Sequence, residues 1–114
     1  MTRVLFVCSQ NRLRSPTAEQ VFSVCPVIEC TSAGLNHDAE EPLAAEMVVW
    51  AEVIFVMERA QRSKLQKRFK AQLNGKRVIC LNISDDYEYM APALVRLLWQ
   101  KVPQFLPELA PYAP

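Results

Sequence analysis

The chain has 114 residues, 51% of them hydrophobic and 22% charged, with a formal net charge of +1. This is the composition of one ordinary globular domain, and the charge balance supplies no global field for gathering nucleic acid or an anionic membrane. No apolar run approaches the ~20 residues of a membrane span. Arg3 leads directly into a strand-like run with no cleavage signature, so a cytoplasmic protein is expected.

Val4–Val7 is a short continuous apolar run, suited to a strand buried on both faces. A polar loop from Cys8 follows, and Ser15-Pro16 reads as a cap and first turn of a helix carrying Ala18, Val21 and Phe22 inward and stopping before Pro26. The next strand is Val27–Thr31, ending in a turn at Ser32-Ala33-Gly34. The polar connector Asn36-His37-Asp38 leads to a helix over about Pro42–Trp50, with Leu43, Met47 and Trp50 on one core-facing stripe.

Val53–Met57 repeats the buried-strand pattern. A third helix carries Leu65, Phe69 and Leu73 four apart and stops at Asn74-Gly75. Arg77–Leu81 is the fourth strand, Asn82–Tyr89 an acidic loop, and about Pro92–Val102 the last helix. Prolines at 103, 107, 111 and 114 predict an extended C-terminal cover over about 103–114 with a frayed end. Four strand-helix alternations over one domain, 1–114, indicate an α/β fold: a small parallel sheet with helices on both faces. Ligands of such sheets bind beyond the carboxyl ends of the strands, where both Cys8 and Asp85 fall.

Of the four cysteines, Cys25, Cys30 and Cys80 read as buried small hydrophobes in a reducing compartment, and no C-x-x-C pair or histidine cluster points to metal. Cys8 differs. A loop passing from a strand into a helix turns several backbone N–H groups toward one point, and the helix dipole adds to that field, which suits a phosphate-sized anion. A sulfur at the start of the loop is favoured as thiolate by the same field, as a nucleophile needs to be. Arg14 can fold over the anion with its planar fork, and Ser15 can donate to the sulfur.

Cys8-x5-Arg14-Ser15-Pro16 after Val4–Val7, together with Asn11 and the run Ser-Pro-x-Ala-Glu, resembles the low-molecular-weight protein tyrosine phosphatases. The likeness continues at Thr31-Ser32-Ala33-Gly34, at Val53–Met57 with Glu58, and at Asp85-Asp86-Tyr87, which is similar to that family's acid loop. It implies a three-layer α/β/α sandwich with a four-stranded parallel sheet in the order 2-1-3-4. It also implies a phosphomonoester hydrolase with a cysteinyl-phosphate intermediate. Cys8 is then the nucleophile, Arg14 the phosphate clamp, Ser15 the thiolate partner and Asp85 the general acid, with Asp86 the alternative. Ser9, Gln10, Asn11, Arg12, Leu13 and Tyr87 would line the phosphate and substrate site, and Asn11 and Ser32 would hold the loop. No cofactor or metal is implied, and the partner is a phosphorylated protein or a small phosphomonoester, with no nucleic acid and no membrane.

The sequence departs from the family pattern at Gln10, where glycine is usual, and at Leu13, where many members carry a second cysteine. Arg12 replaces a small or apolar residue, and either reads negative charge near the phosphate, points to solvent, or pairs with Asp86 or Glu88. The chain is also short between Gly34 and Val53. An arsenate reductase of the same fold is a second possibility, although no resolving cysteine pair is evident; a non-catalytic phosphate-binding module is a third. His37 reads as a loop residue. Eight of the thirteen basic residues lie between Arg59 and Arg77 with no acid among them: either a solvated helix face or a surface that steers an anionic partner.

Overall fold

Strand β1 (Thr2–Cys8) lies inside a four-stranded parallel sheet in the computed structural model, which describes residues 1–114. Strands β2 (Ile28–Gly34) and β3 (Val53–Val56) flank it, and β4 (Arg77–Cys80) lies beyond β3, giving the order β2-β1-β3-β4. Helices α1 (Arg14–Phe22), α2 (Ala45–Trp50), α3 (Arg59–Arg68) and α4 (Pro92–Lys101) cover the sheet. The alternation and strand order are those expected from the sequence.

The inner strands show why their apolar runs are continuous. Val4 and Phe6 of β1 join Val53 and Phe55 of β3 on one face, packed with Phe22 of α1 and Leu98 of α4. Leu5, Val7, Ile54 and Val56 face the other way, with Val48 of α2 and Leu65 of α3. With both faces covered, each successive side chain must be apolar. Phe6 sits at the centre of the first core, its ring stacked 5.8 Å from Phe22 and 5.5 Å from Phe55.

Parallel register brings the strand ends to one rim. Cys8 pairs with Gly34, Val7 with Val56, and Val56 with Cys80. The loops after β1, β3 and β4 therefore leave the sheet side by side.

Several boundaries differ from expectation. Ser32-Ala33-Gly34 is no turn: it continues β2 beside Phe6–Cys8, and the Gly34 amide then bonds the Glu41 carbonyl at 2.8 Å. Backbone pairing with β1, and at Gly34 also with the Glu41–Pro42 segment, outweighs the local turn propensity of these small residues. Helix α2 starts only at Ala45, because the segment around Pro42 bridges to Gly34 instead of winding. Its buried anchor is Val48, whereas Met47 and Trp50 are half-buried. Regular α3 ends at Arg68; turns continue it to Gly75, whose φ of 79° gives the left-handed stop.

The tail is not extended. Val102–Gln104 and Pro107–Tyr112 form short 3₁₀ helices, a conformation that proline's fixed φ allows. The segment does cover the sheet, burying Leu106 and Leu109 in the α1/α4-side core, and Glu108 accepts from the Thr2 hydroxyl at 3.0 Å. No helix is long and apolar enough to cross a membrane.

Phe55 is fully buried between Phe6 and the tail. Phe55→Ala is expected to lower unfolding free energy by about 3–5 kcal/mol in urea titration; a loss under about 1 kcal/mol would contradict the packing described.

Candidate active site

The loop between β1 and α1, Ser9–Leu13, is fixed from outside. The carbonyls of Cys8, Ser9 and Gln10 accept from the amides of Leu35 (2.9 Å), Asn36 (3.0 Å) and Glu40 (3.0 Å). A trans peptide plane points its N–H opposite to its carbonyl, so the next three amides turn the other way. The third of them, Asn11 N–H, points at Cys8 Sγ, 3.2 Å away. This makes the backbone a concave, donor-lined nest of the kind that binds anions. It also explains Gly34: a Cβ there would lie 2.4 Å from the Ala39 Cβ and 2.8 Å from the Ser9 carbonyl oxygen.

Asn11 carries the loop's left-handed backbone, with φ 54°, so the usual glycine position, Gln10, is spared a positive φ and tolerates a side chain. The Asn11 carboxamide donates to Ser15 Oγ at 2.9 Å and to Ser32 Oγ at 3.0 Å. Ser32 in turn donates its hydroxyl hydrogen bond to Glu19 Oε1 at 2.7 Å. Because Ser15 Oγ accepts from Asn11, its hydroxyl hydrogen is free for Cys8 Sγ, 2.9 Å away. The buried sulfur thus accepts from the Asn11 amide and has the Ser15 hydroxyl within hydrogen-bond reach. Ser15 does not cap α1 as expected. The helix begins two residues earlier than expected, at Arg14, without a side-chain cap, and the serine hydroxyl faces the sulfur instead.

Arg14 is buried, and its Nη1 donates to the Ile83 carbonyl at 2.8 Å. The same guanidinium lies 3.4 Å from Glu58 Oε1 and 3.7 Å, through Nε, from Asp85 Oδ1. Cys8, Ser9, Gln10, Arg12, Leu13, Arg14, Glu58 and Asp85 enclose a cavity of about 260 Å³. Of the two neighbouring aspartates, only Asp85 is in its wall. Asp86 accepts from the Ser84 hydroxyl at 2.8 Å.

Of the predicted lining residues, Ser9, Gln10, Arg12, Leu13 and Arg14 are in the wall, and Asn11 and Tyr87 are not. Arg12 lines the cavity and pairs with Glu40 at 3.4 Å rather than with Asp86 or Glu88; both side chains are more than half exposed, so the pair holds it weakly. Tyr87 packs half-buried against the α4-side core and is not in the cavity wall. Gln10 lines the cavity, and its Oε1 is buried without a hydrogen-bond donor.

Sequence reading did not single out Glu19, Glu58 or Gln61 as site residues. Gln61 is buried; its Oε1 accepts from the amides of Met57 and Glu58 at 2.9 Å, and its Nε2 donates to Ser9 Oγ at 3.2 Å. With the Glu58 side chain accepting from the Gln61 backbone N–H in return, this is a capping box, legible as a Glu-x-x-Gln spacing at the start of α3.

All four cysteines are free. Burial raises the Cys25 thiol above its usual pKa, and burial together with the Glu19 charge pushes Cys30 up to about 12. Cys30 pairs with Val4, four residues down β1 from Cys8, or about 13 Å along the strand. Cys80 lies two strands away, against the opposite core. No group of three His, Cys, Asp or Glu is placed to hold a metal ion.

The sequence model of the low molecular weight phosphotyrosine protein phosphatases matches residues 3–73. No curated protein matches in sequence. Among solved structures, the tyrosine phosphatase Wzb from Escherichia coli in complex with phosphate is similar, with a TM-score of 0.73 and 19% identity over 94% of this chain and 97% of that one. The YwlE arginine phosphatase from Geobacillus stearothermophilus gives 0.67 and 20%, over 98% and 92%. YfkJ from Bacillus subtilis gives 0.69 and 17%, over 100% and 98%. These likenesses show a common fold.

Asn11 contributes both a backbone conformation and two side-chain bonds, and two variants separate them. Asn11→Ala is expected to cost about 2–3 kcal/mol in denaturant unfolding, from left-handed strain and unpaired serines. Asn11→Gly, which keeps the conformation, should be about 1 kcal/mol less damaging. Equal stability of all three proteins would contradict both roles.

Proposed function

The chain belongs to the low molecular weight phosphotyrosine protein phosphatase family and is a phosphatase of that family; we propose that it hydrolyses phosphomonoesters through a cysteinyl-phosphate intermediate. The observation that carries this reading is the convergence of Asn11 N–H and Ser15 Oγ on Cys8 Sγ, inside a donor-lined loop with the Arg14 guanidinium in the same cavity.

In the first step the Cys8 thiolate attacks phosphorus and an S–P bond forms. Loop amides and Arg14 hold the non-bridging oxygens, whose charge the α1 N-terminus also favours. The P–O bond to the leaving group breaks, and Asp85 delivers its proton to the departing oxygen. In the second step the Asp85 carboxylate takes a proton from water, the water oxygen attacks phosphorus, and the S–P bond breaks. The returning thiolate is received by the Ser15 hydroxyl and the Asn11 amide. Asp85 is preferred over Asp86 because it lines the cavity, whereas Asp86 is held by Ser84.

Glu58 faces Arg14 as a counter-ion. A bound phosphate dianion offers the guanidinium a stronger, bidentate partner, so binding exchanges one anion for another without leaving a buried charge unpaired. The substrate is a phosphorylated protein or a small phosphomonoester, and phosphotyrosine is the class the family description supports. Glu58 and Asp85, two carboxylates in one wall, favour a second reading in which the leaving group is cationic, such as the guanidinium of a phosphoarginine. An arsenate-reducing disulfide cascade has less support. Cys30 and Cys80 lie beyond the ~7 Å Cα separation that a disulfide with Cys8 tolerates.

Hydrolysis of an aryl phosphate is expected to vanish in Cys8→Ser, to slow about 10²–10³-fold in Asp85→Asn, and to change little in Asp86→Asn. An active Cys8→Ser protein would refute the mechanism, and a larger loss in Asp86→Asn would reassign the acid. Comparing phosphotyrosine with phosphoarginine substrates by kcat/KM decides between the two leaving groups.

A further inference from the structure

The charge of this nearly neutral chain is strongly divided. Eight basic residues and no acid lie between Arg59 and Arg77, while the rest of the chain has five basic residues against twelve acidic. The molecule's ion pairs involve only Arg3, Arg12 and Arg14, so no carboxylate neutralises the basic face of α3. Part of that face borders a cavity of about 300 Å³, lined by Lys64, Lys67 and Arg68 on one side and Leu35, Asn36 and His37 on the other. Arg68 is fixed there by its bond to the Leu35 carbonyl. Lys64 and Lys67 are exposed.

The segments that line this cavity also hold the loop of the reaction centre. The amides of Leu35 and Asn36 bond the carbonyls of Cys8 and Ser9, and Gln61 of α3 bonds the Ser9 hydroxyl. We propose that the α3 cations and the Leu35–His37 turn form a docking surface for an acidic polypeptide segment, one that flanks the phosphorylated residue of a protein substrate. The identity of the segment rests on the phosphatase reading; the anionic character of the partner rests on the surface itself. Two other polyanions fit less well. Nucleic-acid surfaces add exposed rings for stacking, and a membrane-lying helix adds exposed apolar side chains. The exposed large hydrophobic residues of this molecule are Met1, Val24, Val49, Tyr89, Met90, Phe105 and Tyr112, none of them on α3.

The test compares the parent with Lys64→Glu/Lys67→Glu and the milder Lys64→Ala/Lys67→Ala. Three substrates are used: a phosphopeptide flanked by glutamates, the same peptide with glutamines, and a small aryl phosphate. The parent should favour the glutamate peptide by roughly tenfold in kcat/KM at low salt, and both variants should lose that preference with aryl phosphate turnover unchanged. A parent without the preference, or variants that keep it, would overturn the proposal. Fluorescence anisotropy with an unphosphorylated glutamate-rich peptide keeps the two readings apart. If no substrate is hydrolysed but this peptide binds the parent and not the variants, the phosphatase reading fails and the surface stands. Displacement of that peptide by an RNA oligonucleotide or phosphatidylserine vesicles at lower charge concentration would overturn the partner class.

Discussion

One carboxamide holds the site together. Asn11 has two side-chain hydrogens and spends one on each of two serines, Ser15 from α1 and Ser32 from β2. Accepting from Asn11 leaves each serine its own hydroxyl hydrogen: Ser32 donates it to Glu19, and Ser15 has the Cys8 sulfur within hydrogen-bond reach. That single group joins Glu19, Ser32, Ser15 and Cys8 into one hydrogen-bonded chain. Neither an aspartate, which brings no hydrogens, nor an alanine, which resists the left-handed backbone, reproduces it. The rest of the loop follows from the same geometry, since the Asn11 amide is the one that meets the sulfur.

The fold serves this loop by supplying rigid anchors. Strand β1 is buried on both faces, so its end, and Cys8 with it, has little freedom. Strand β2 runs on past the length its sequence suggests, and its last residue, Gly34, lets the connector approach closely enough to take three loop carbonyls. From the other side, α3 braces Ser9 through Gln61, and the segment after β4 orients Arg14 through the Ile83 carbonyl. Three strand exits therefore contribute to one cleft, as the strand order requires.

Much of this was legible in the residues. Continuous apolar runs marked the inner strands, because burial on two faces leaves no polar alternation. Cys8, Arg14, Ser15 and Pro16 marked the strand-to-helix loop, and the structure brings Cys8, Arg14 and Asp85 to one cavity. What escaped were partnerships between distant segments. Ser32-Ala33-Gly34 has turn composition, and only its register with Phe6–Cys8 makes it strand. Arg12 offers no sequence clue to Glu40, a partner set by how the connector folds over the loop. For Tyr87 the residues leave a site role and a packing role equally open, and its ring packs half-buried against the α4-side core. The proline-rich tail reads as extended, yet fixed φ values allow 3₁₀ turns as readily, and these turns bury Leu106 and Leu109.

The central claim is that the Cys8 sulfur, held as an acceptor by Asn11 and Ser15, becomes covalently bonded to phosphorus. Rapid quenching of the Asp85→Asn protein with an aryl phosphate, followed by peptide mass analysis, tests it most directly. A phosphate adduct on the peptide containing Cys8, formed and decaying at rates consistent with turnover, is the result predicted. Turnover with no adduct, or with phosphate on another residue, would contradict it.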